Sequence, residues 1–176
     1  MTRAQVRDGI ATFFGGPFDA GQRLYRGGPL HSYGLATVRS YFAKRVPDTD
    51  YTAGLEPGRA MGTVGVVHLG DAVERRTAIG GATGGWKARV YSVSLHLYHL
   101  ATTPTAEQAQ ADLDELLEAA AALIHGDRTL GEVVLQAGES TNGIRFFLGQ
   151  PAYGPGTEHI RTYASLTFDA DVYIQA

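Results

Sequence analysis

The stretch WKARVYSVSLHLYHLATTPTAEQAQADLDELLEAAAALIHG, which spans residues 86–126, decides the fold. In its first part apolar residues occupy every second position, as in a strand that buries one face: Tyr91, Val93, Leu95 and Leu97 alternate with Ser92, Ser94 and His96. In its second part apolar residues recur every three or four positions, which is the period of an amphipathic helix; they are Ala109, Leu113, Leu116, Leu117, Ala120, Leu123 and Ile124. The stretch therefore predicts a strand followed by a long helix.

The ends of this helix are also marked in the sequence. Thr105 and Gln108 have the spacing of a capping box, and Gly126 is a typical C-terminal stop. A helix of about 20 residues is roughly 30 Å long. The other face of the helix is acidic, which indicates a solvated surface; it carries Asp112, Asp114, Glu115 and Glu118.

Three strands are predicted after the helix, over Glu132–Gln136, Ile144–Leu148 and Arg161–Gln175. The last is the most regular segment of the chain. Its apolar face holds Ala164, Leu166, Phe168, Ala170, Val172 and Ile174, and its polar face holds Tyr163, Ser165, Thr167, Asp169, Asp171, Tyr173 and Gln175. The polar face is expected to lie against solvent or another subunit.

The first half of the chain is less regular. Short helices are predicted over Thr2–Phe14, with Thr2 as N-cap, and over Leu35–Lys44, with Val38, Tyr41 and Phe42 facing inward. A strand over Met61–Leu69 follows, and Val73–Ile79 is the expected first arm of a hairpin whose second arm begins at Trp86. Its tip, Gly80-Gly81-Ala82-Thr83-Gly84-Gly85, is rich in glycine, which is typical of a loop that becomes ordered against a partner.

These elements predict one α+β domain over residues 1–176. We expect a mixed, mainly antiparallel sheet with the long helix packed on one face, short N-terminal helices and an extended, glycine-tipped β-hairpin. The net charge of −3 does not indicate a nucleic-acid-binding protein, and the absence of cysteine excludes disulfides. With no signal peptide and no apolar run of membrane-spanning length, the chain is expected to be made in the cytoplasm and to have no membrane partner.

The sequence predicts no catalytic residue, no cofactor site and no metal site. It contains no phosphate-binding Gly-Lys-Ser/Thr triplet, no Gly-x-Ser-x-Gly elbow and no HExxH pattern. His96 and His99 are three residues apart on a predicted strand, so they are expected to point to opposite faces. An enzymatic function is therefore not expected.

Two sets of residues are candidates for contacts in an assembly. The hairpin is a candidate subunit or partner interface because it combines basic residues with a flexible tip; its residues are Arg75, Arg76, Gly80, Gly81, Gly84, Gly85, Trp86 and Lys87, with Arg89 beside them. Asp169 and Asp171 are a candidate lumen face, since no Lys or Arg occurs between Thr162 and Ala176. An acidic wall would repel the phosphates of passing DNA.

The second half of the chain resembles a known family. VYSVSLHLY at 90–98 is followed by AEQAQADLDELL at 106–117, HGDRTL at 125–130, VVLQAGE at 133–139, and a closing strand through Phe168, Val172 and Ile174. Over residues 61–176 this order of elements is similar to the tail terminators, or minor tail and neck proteins, of long-tailed phages that infect actinobacteria.

The resemblance implies a structural virion protein located at the head–tail interface. Such a protein forms a homohexameric ring that ends the tail tube, contacts the tail tube protein and the head-side connector or stopper protein, and lets DNA pass without sequence-specific binding. The resemblance implies no catalytic residues. It carries no role for the first 60 residues.

Three alternatives remain open from the sequence. The first is a head-completion or head–tail joining protein of the neck, one layer away. The second is a small-molecule-binding α+β module with Trp86, Tyr91 and Tyr98 around a pocket. The third is a metal-dependent hydrolase that uses Asp169 and Asp171. Only the ring proteins are expected to form a closed oligomer.

Overall fold

A computed structural model describes residues 1–41, 62–76, 85–101, 106–153 and 160–175. Within these ranges the fold has a helical layer packed on one face of a nine-stranded sheet. The helices are α1, Arg3–Gly15, and α2, Ala106–Gly126, together with a short 3-10 helix, Pro29–Tyr33. The strands are β1 Phe18–Asp19, β2 Leu24–Tyr25, β3 Leu35–Arg39, β4 Gly62–Arg76, β5 Trp86–Ala101, β6 Gln136–Ala137, β7 Arg145–Leu148, β8 Ala152–Tyr153 and β9 Ile160–Gln175.

The sheet is mixed and mainly antiparallel. Its order is β1-β2-β3-β4-β5-β9-β6, and β7 and β8 also pair with β9. Within the described strands, β3 with β4 is the one parallel pair. The three long strands β4, β5 and β9 form its centre, and both helices pack on the same side of it. The predicted α+β class, with a long helix on a mainly antiparallel sheet, is confirmed.

Helix α1 begins where the sequence predicts. The Thr2 hydroxyl accepts a hydrogen bond from the Gln5 N–H, and the Gln5 side chain accepts one from the Thr2 N–H. This reciprocal capping satisfies two N–H groups that the first helical turn leaves without partners. The helix buries Val6, Ile10 and Phe14 against the sheet.

Helix α2 and strand β9 also confirm their predicted patterns. The apolar stripe of α2 is buried in the core, where each leucine contributes about 1.5–3 kcal/mol; the fully buried members are Ala109, Leu113, Leu116, Ala120 and Ile124. On β9 the predicted apolar face is buried as far as Val172. The capping residue Thr105 lies outside the described residues.

The helix predicted over Leu35–Lys44 is wrong, because residues 35–39 form strand β3. Thr37 and Val38 are β-branched, which favours a strand, and the backbone of β3 pairs with the central strand β4. Val38 is buried as predicted, but Tyr41 is exposed and does not face inward. Residues 42–44 lie outside the described residues.

The strand predicted over Glu132–Gln136 is also wrong for most of its length. Asp127 instead organises a turn: its carboxylate accepts hydrogen bonds from the N–H and hydroxyl groups of Thr129 and from the N–H of Gly131. Leu130 and Glu132 adopt positive φ angles of 51° and 64°, which are incompatible with a strand. The Leu135 N–H donates the first hydrogen bond to β9, at 2.8 Å to the Asp171 carbonyl oxygen, and strand pairing begins at Gln136.

The two segments predicted over Met61–Leu69 and Val73–Ile79 form a single strand. Strand β4 runs from Gly62 to Arg76 and is paired with β5 on both sides of one irregularity. Met61 and residues 77–79 lie outside the described residues. The hairpin is therefore longer than the sequence predicts.

Candidate subunit interface

The three central strands extend beyond the helix that covers them. Strands β5 and β9 have 16 residues each, or about 53 Å, whereas α2 has 21 residues, or about 31 Å. The last turn of α2 reaches the middle of β9, because Ile124 packs beside Gly138, whose N–H donates a 2.9 Å hydrogen bond to the Asp169 carbonyl oxygen. Residues 72–76, 86–90 and 171–175 lie past this point. We call this three-stranded extension the projection.

A β-bulge separates the projection from the core. Leu69 pairs with Val93 and Ala72 pairs with Tyr91, so two residues of β4, Gly70 and Asp71, stand opposite Ser92 alone. A bulge of this kind bends the strand and increases its twist. Beyond it, residues 71–75 are all exposed.

Helix α1 holds this bulge in place. The Arg3 guanidinium donates hydrogen bonds to the carbonyl oxygens of Leu69 and Gly70, the latter at 2.7 Å. The same guanidinium lies 5.7 Å from the centre of the Tyr91 ring, within range of a cation–π contact. The first turn of α1 therefore fixes the direction in which the projection leaves the core.

One face of the projection carries a charged cluster. The Glu74 carboxylate lies 2.8 Å from Lys87 Nζ and 2.7 Å from Arg89 Nη2. Hydrogen bonds from Lys87 and Arg89 lower the pKa of Glu74. Arg89 also donates a 3.1 Å hydrogen bond to the Tyr91 hydroxyl, and this bond, followed by the one to Glu74, raises the pKa of Arg89. With two cations and one carboxylate, the cluster has a net positive charge.

The opposite face of the projection is more apolar. Val73, Val90 and Asp171 lie side by side across the three strands, and Arg75, Ala88 and Tyr173 form the next row. Val73 is 53% exposed and Tyr173 is 49% exposed. Exposed large apolar side chains next to a basic residue are typical of contact surfaces between proteins.

The predicted interface residues are only partly brought together. Arg76 pairs with Lys87 across the hairpin, so both positions share the face that carries Glu74, whereas Arg75 lies on the other face. The backbone of Trp86 is paired with Gln175, but its side chain lies outside what the structure describes. Gly80, Gly81 and Gly84 also lie outside the described residues, and Gly85 directly precedes β5.

Asp169 and Asp171 lie on the sheet face opposite the helices, as predicted. Asp171 accepts a 2.7 Å hydrogen bond from Gln136 Nε2, and Asp169 accepts a 3.4 Å bond from Asn142 Nδ2. Both acceptor carboxylates remain partly accessible. Among the described residues, no group of three or more His, Asp or Glu side chains is arranged to hold a metal ion.

Sequence reasoning missed an aromatic patch on the same sheet face. His96 Nδ1 lies 2.6 Å from the Tyr163 hydroxyl, the His68 ring lies 5.9 Å from that of His96, and Tyr98 lies 5.3 Å from Tyr163. Phe147, which is 56% exposed, lies 6.0 Å from Tyr163. The signal was present as His96 and Tyr98 at alternate positions of β5 and as Tyr163 on the polar face of β9. The register that aligns them is a tertiary feature.

Two of the three residues proposed for a pocket, Tyr91 and Tyr98, do not share a face, and the side chain of the third, Trp86, lies outside what the structure describes. Tyr91 is buried on the helix side of the sheet, whereas Tyr98 contacts Tyr163 on the opposite side. Tyr91 and Tyr98 are seven positions apart on one strand. Because side chains alternate between the two faces, residues separated by an odd number of positions lie on opposite faces. The same alternation confirms that His96 and His99 point to opposite faces, since His99 bonds Thr63 Oγ1 at 2.9 Å on the helix side.

Comparison with known proteins identifies no family. No protein-family model matches the chain, and a search of the curated proteins finds no match. In the described parts of the chain, neither α1 nor α2 combines the length and the apolar character needed to cross a bilayer.

Proposed function

We propose that this chain is a structural virion protein, the tail terminator subunit of a long-tailed bacteriophage. Six copies form a ring that closes the tail tube at the head–tail interface and contacts the tube protein on one side and the head-side connector or stopper on the other. DNA passes through the ring without sequence-specific binding. The protein is made in the host cytoplasm and acts in the virion.

The proposal rests mainly on the presence of the projection. The three-stranded extension leaves the helix-covered core at Val172, the last residue of β9 that the core buries. It exposes Val73 and Tyr173 on one side and the Glu74 cluster on the other. Such an extension is suited to lie across a neighbouring subunit, which a ring provides at every position.

The same features argue against the binding-module alternative. The three aromatic residues proposed for a pocket do not share a face, since Tyr91 and Tyr98 lie on opposite sides of the sheet. The two carboxylates proposed for a hydrolase are engaged by the amide groups of Gln136 and Asn142. A structural ring subunit requires neither an aromatic pocket nor a catalytic pair of carboxylates.

Labelling of virions tests the proposal. An antibody against the protein is expected to mark the head-proximal end of the tail in negative-stain images. Purified protein is expected to contain particles of six 18.8 kDa chains, about 113 kDa. Labelling of the collar above the tail end would favour the head-completion alternative, and virions that carry no label would exclude both.

A further inference from the structure

The exposed face of α2 carries negative charge that no described residue neutralises. Glu107, Asp114, Glu115 and Glu118 are exposed and form no ion pair with the described residues. The helix Ala106–Gly126 contains no Lys or Arg. These four residues form one stripe, about 16 Å long, from Glu107 to Glu118.

The projection carries the opposite charge. On the face of the Glu74 cluster, its β4 and β5 segments hold Arg76, Lys87 and Arg89 and the single carboxylate of Glu74, which gives a formal charge of +2. Glu74 is shared by Lys87 and Arg89, so one positive charge of that cluster is left over. Arg75 lies on the other face, where the next row contains Asp171. The segments are about 16 Å long, which matches the acidic stripe.

The two surfaces cannot meet within one chain. Arg75 is opposite Ala88 near one end of β5, whereas α2 starts just after Ala101 at the other end, about 43 Å away. Because α2 runs back along the sheet, Glu118 is the closest carboxylate of the stripe, at roughly 25 Å from the level of Arg75. The Debye length is about 8 Å at physiological salt, so charges at these separations are screened from each other.

We propose that the projection of one subunit docks on the acidic stripe of α2 in a second copy of this chain. The contact joins two different surfaces, so it is a head-to-tail contact, and repetition of such a contact closes a ring when the rotation permits. The positive charges on the face of the Glu74 cluster, at the positions of Arg76, Lys87 and Arg89, would then meet the carboxylates of Glu107 to Glu118. This inference rests on the proposed ring and names the surfaces that hold it together.

Two charge-reversed variants test the contact. The first carries Arg76→Glu and Lys87→Glu, which lie on the face of the Glu74 cluster, and the second carries Glu115→Arg and Glu118→Arg. Either variant alone places like charges across the contact and is expected to raise the concentration needed for half-assembly by about tenfold or more. An equimolar mixture is expected to restore assembly, because acidic projections meet basic helices and basic projections meet acidic helices in alternation around a six-membered ring.

Assembly is measured by native mass spectrometry and chemical cross-linking over a range of protein concentration and salt. Arg23→Glu, which reverses an exposed charge in the β1–β2 turn, is the matched control and is expected to assemble normally. Circular dichroism verifies that each variant is folded. High salt is expected to weaken assembly of the unmodified protein, because the contact is electrostatic.

The inference is overturned if either variant assembles as well as the unmodified protein, if the mixture is no better than its components, or if the unmodified protein makes no self-contact at any concentration. These outcomes are separable from failure of the proposed function. If virions are labelled but ring formation responds neither to salt nor to charge reversal, the terminator function is supported and this contact is rejected. If virions are not labelled but the mixture restores assembly, the contact is supported and the terminator function is rejected.

Discussion

At the scale of single residues, His99 is a buried ionisable group. It is only 9% exposed, Nδ1 is bonded to Thr63, and Nε2 has no hydrogen-bond partner among the described residues. Burial lowers the pKa of His99 below 6.5, and the smaller influence of Asp112 acts in the opposite direction. The folded protein therefore holds His99 neutral where the unfolded chain already binds a proton.

This difference predicts a loss of stability at mildly acidic pH. Because the folded pKa lies below the unfolded value, stability is complete above pH 6.5 and falls as the pH decreases from 6.5 towards the folded pKa. His96, whose pKa is lowered by burial and by His68, contributes in the same direction. Urea unfolding between pH 7.5 and 5.5 measures the slope.

The variant His99→Gln is expected to reduce this pH dependence, since glutamine keeps a polar group but does not titrate. His125→Gln is the matched control, because His125 is exposed at the end of α2. A slope that is the same in His99→Gln, His125→Gln and the unmodified protein would contradict the assignment. The variant is also expected to be less stable at neutral pH, because its bond to Thr63 is altered.

At the scale of elements, the regular segments were predictable and the irregular ones were not. The residues of α2 and β9 repeat with a single period over many turns or pleats, so local pattern and tertiary packing agree. Residues 35–39 contain too few positions to separate a helical period from a strand period, and pairing with β4 decided the outcome. The turn at Asp127 prevented a strand because Thr129, whose hydroxyl and N–H are bound by Asp127, accepts hydrogen bonds from the N–H groups of Glu132, Val133 and Val134 that a strand would use.

Packing between α1 and the turn after α2 gives a second prediction. A Cβ atom on Gly9 would lie 2.7 Å from both γ-carbons of Val133. Gly9→Ala should improve helix propensity by about 1 kcal/mol, but the clash should cost about 1–3 kcal/mol. We therefore expect a net loss of stability in thermal or urea unfolding.

The double variant Gly9→Ala with Val133→Ala separates these two effects. In the Val133→Ala background the clash is removed, so the added methyl group is expected to stabilise the protein. The same sign of effect in both backgrounds would show that α1 and residue 133 do not make the close contact described here.

At the scale of the whole molecule, the proposed function rests on the difference in length between the central strands and the helix that covers them. The sequence predicted a hairpin and several interface residues on it, including Arg75, Arg76 and Lys87. It did not predict that β4 is continuous, that a bulge held by Arg3 redirects it, or that β9 extends the hairpin into three strands. These features depend on where distant strands align, which no local pattern encodes.

The acidic face of β9 gives a prediction at the same scale. If Asp169 and Asp171 line the lumen, Asp169→Lys with Asp171→Lys should leave assembly intact and slow DNA ejection, because the new charges attract phosphate. Glu132→Lys with Glu139→Lys reverses the same number of charges elsewhere and serves as the control. Failure of ring formation would instead indicate a subunit interface, and no effect on assembly or ejection would place the two residues on the outer surface.

We propose that six copies of this chain form the ring that ends the tail tube. Electron microscopy of virion necks with six-fold averaging, combined with labelling by an antibody against the protein, tests this arrangement. One labelled ring of six subunits is expected at the head-proximal end of the tube. Virions whose necks carry no such subunit, or whose label lies elsewhere, would contradict it.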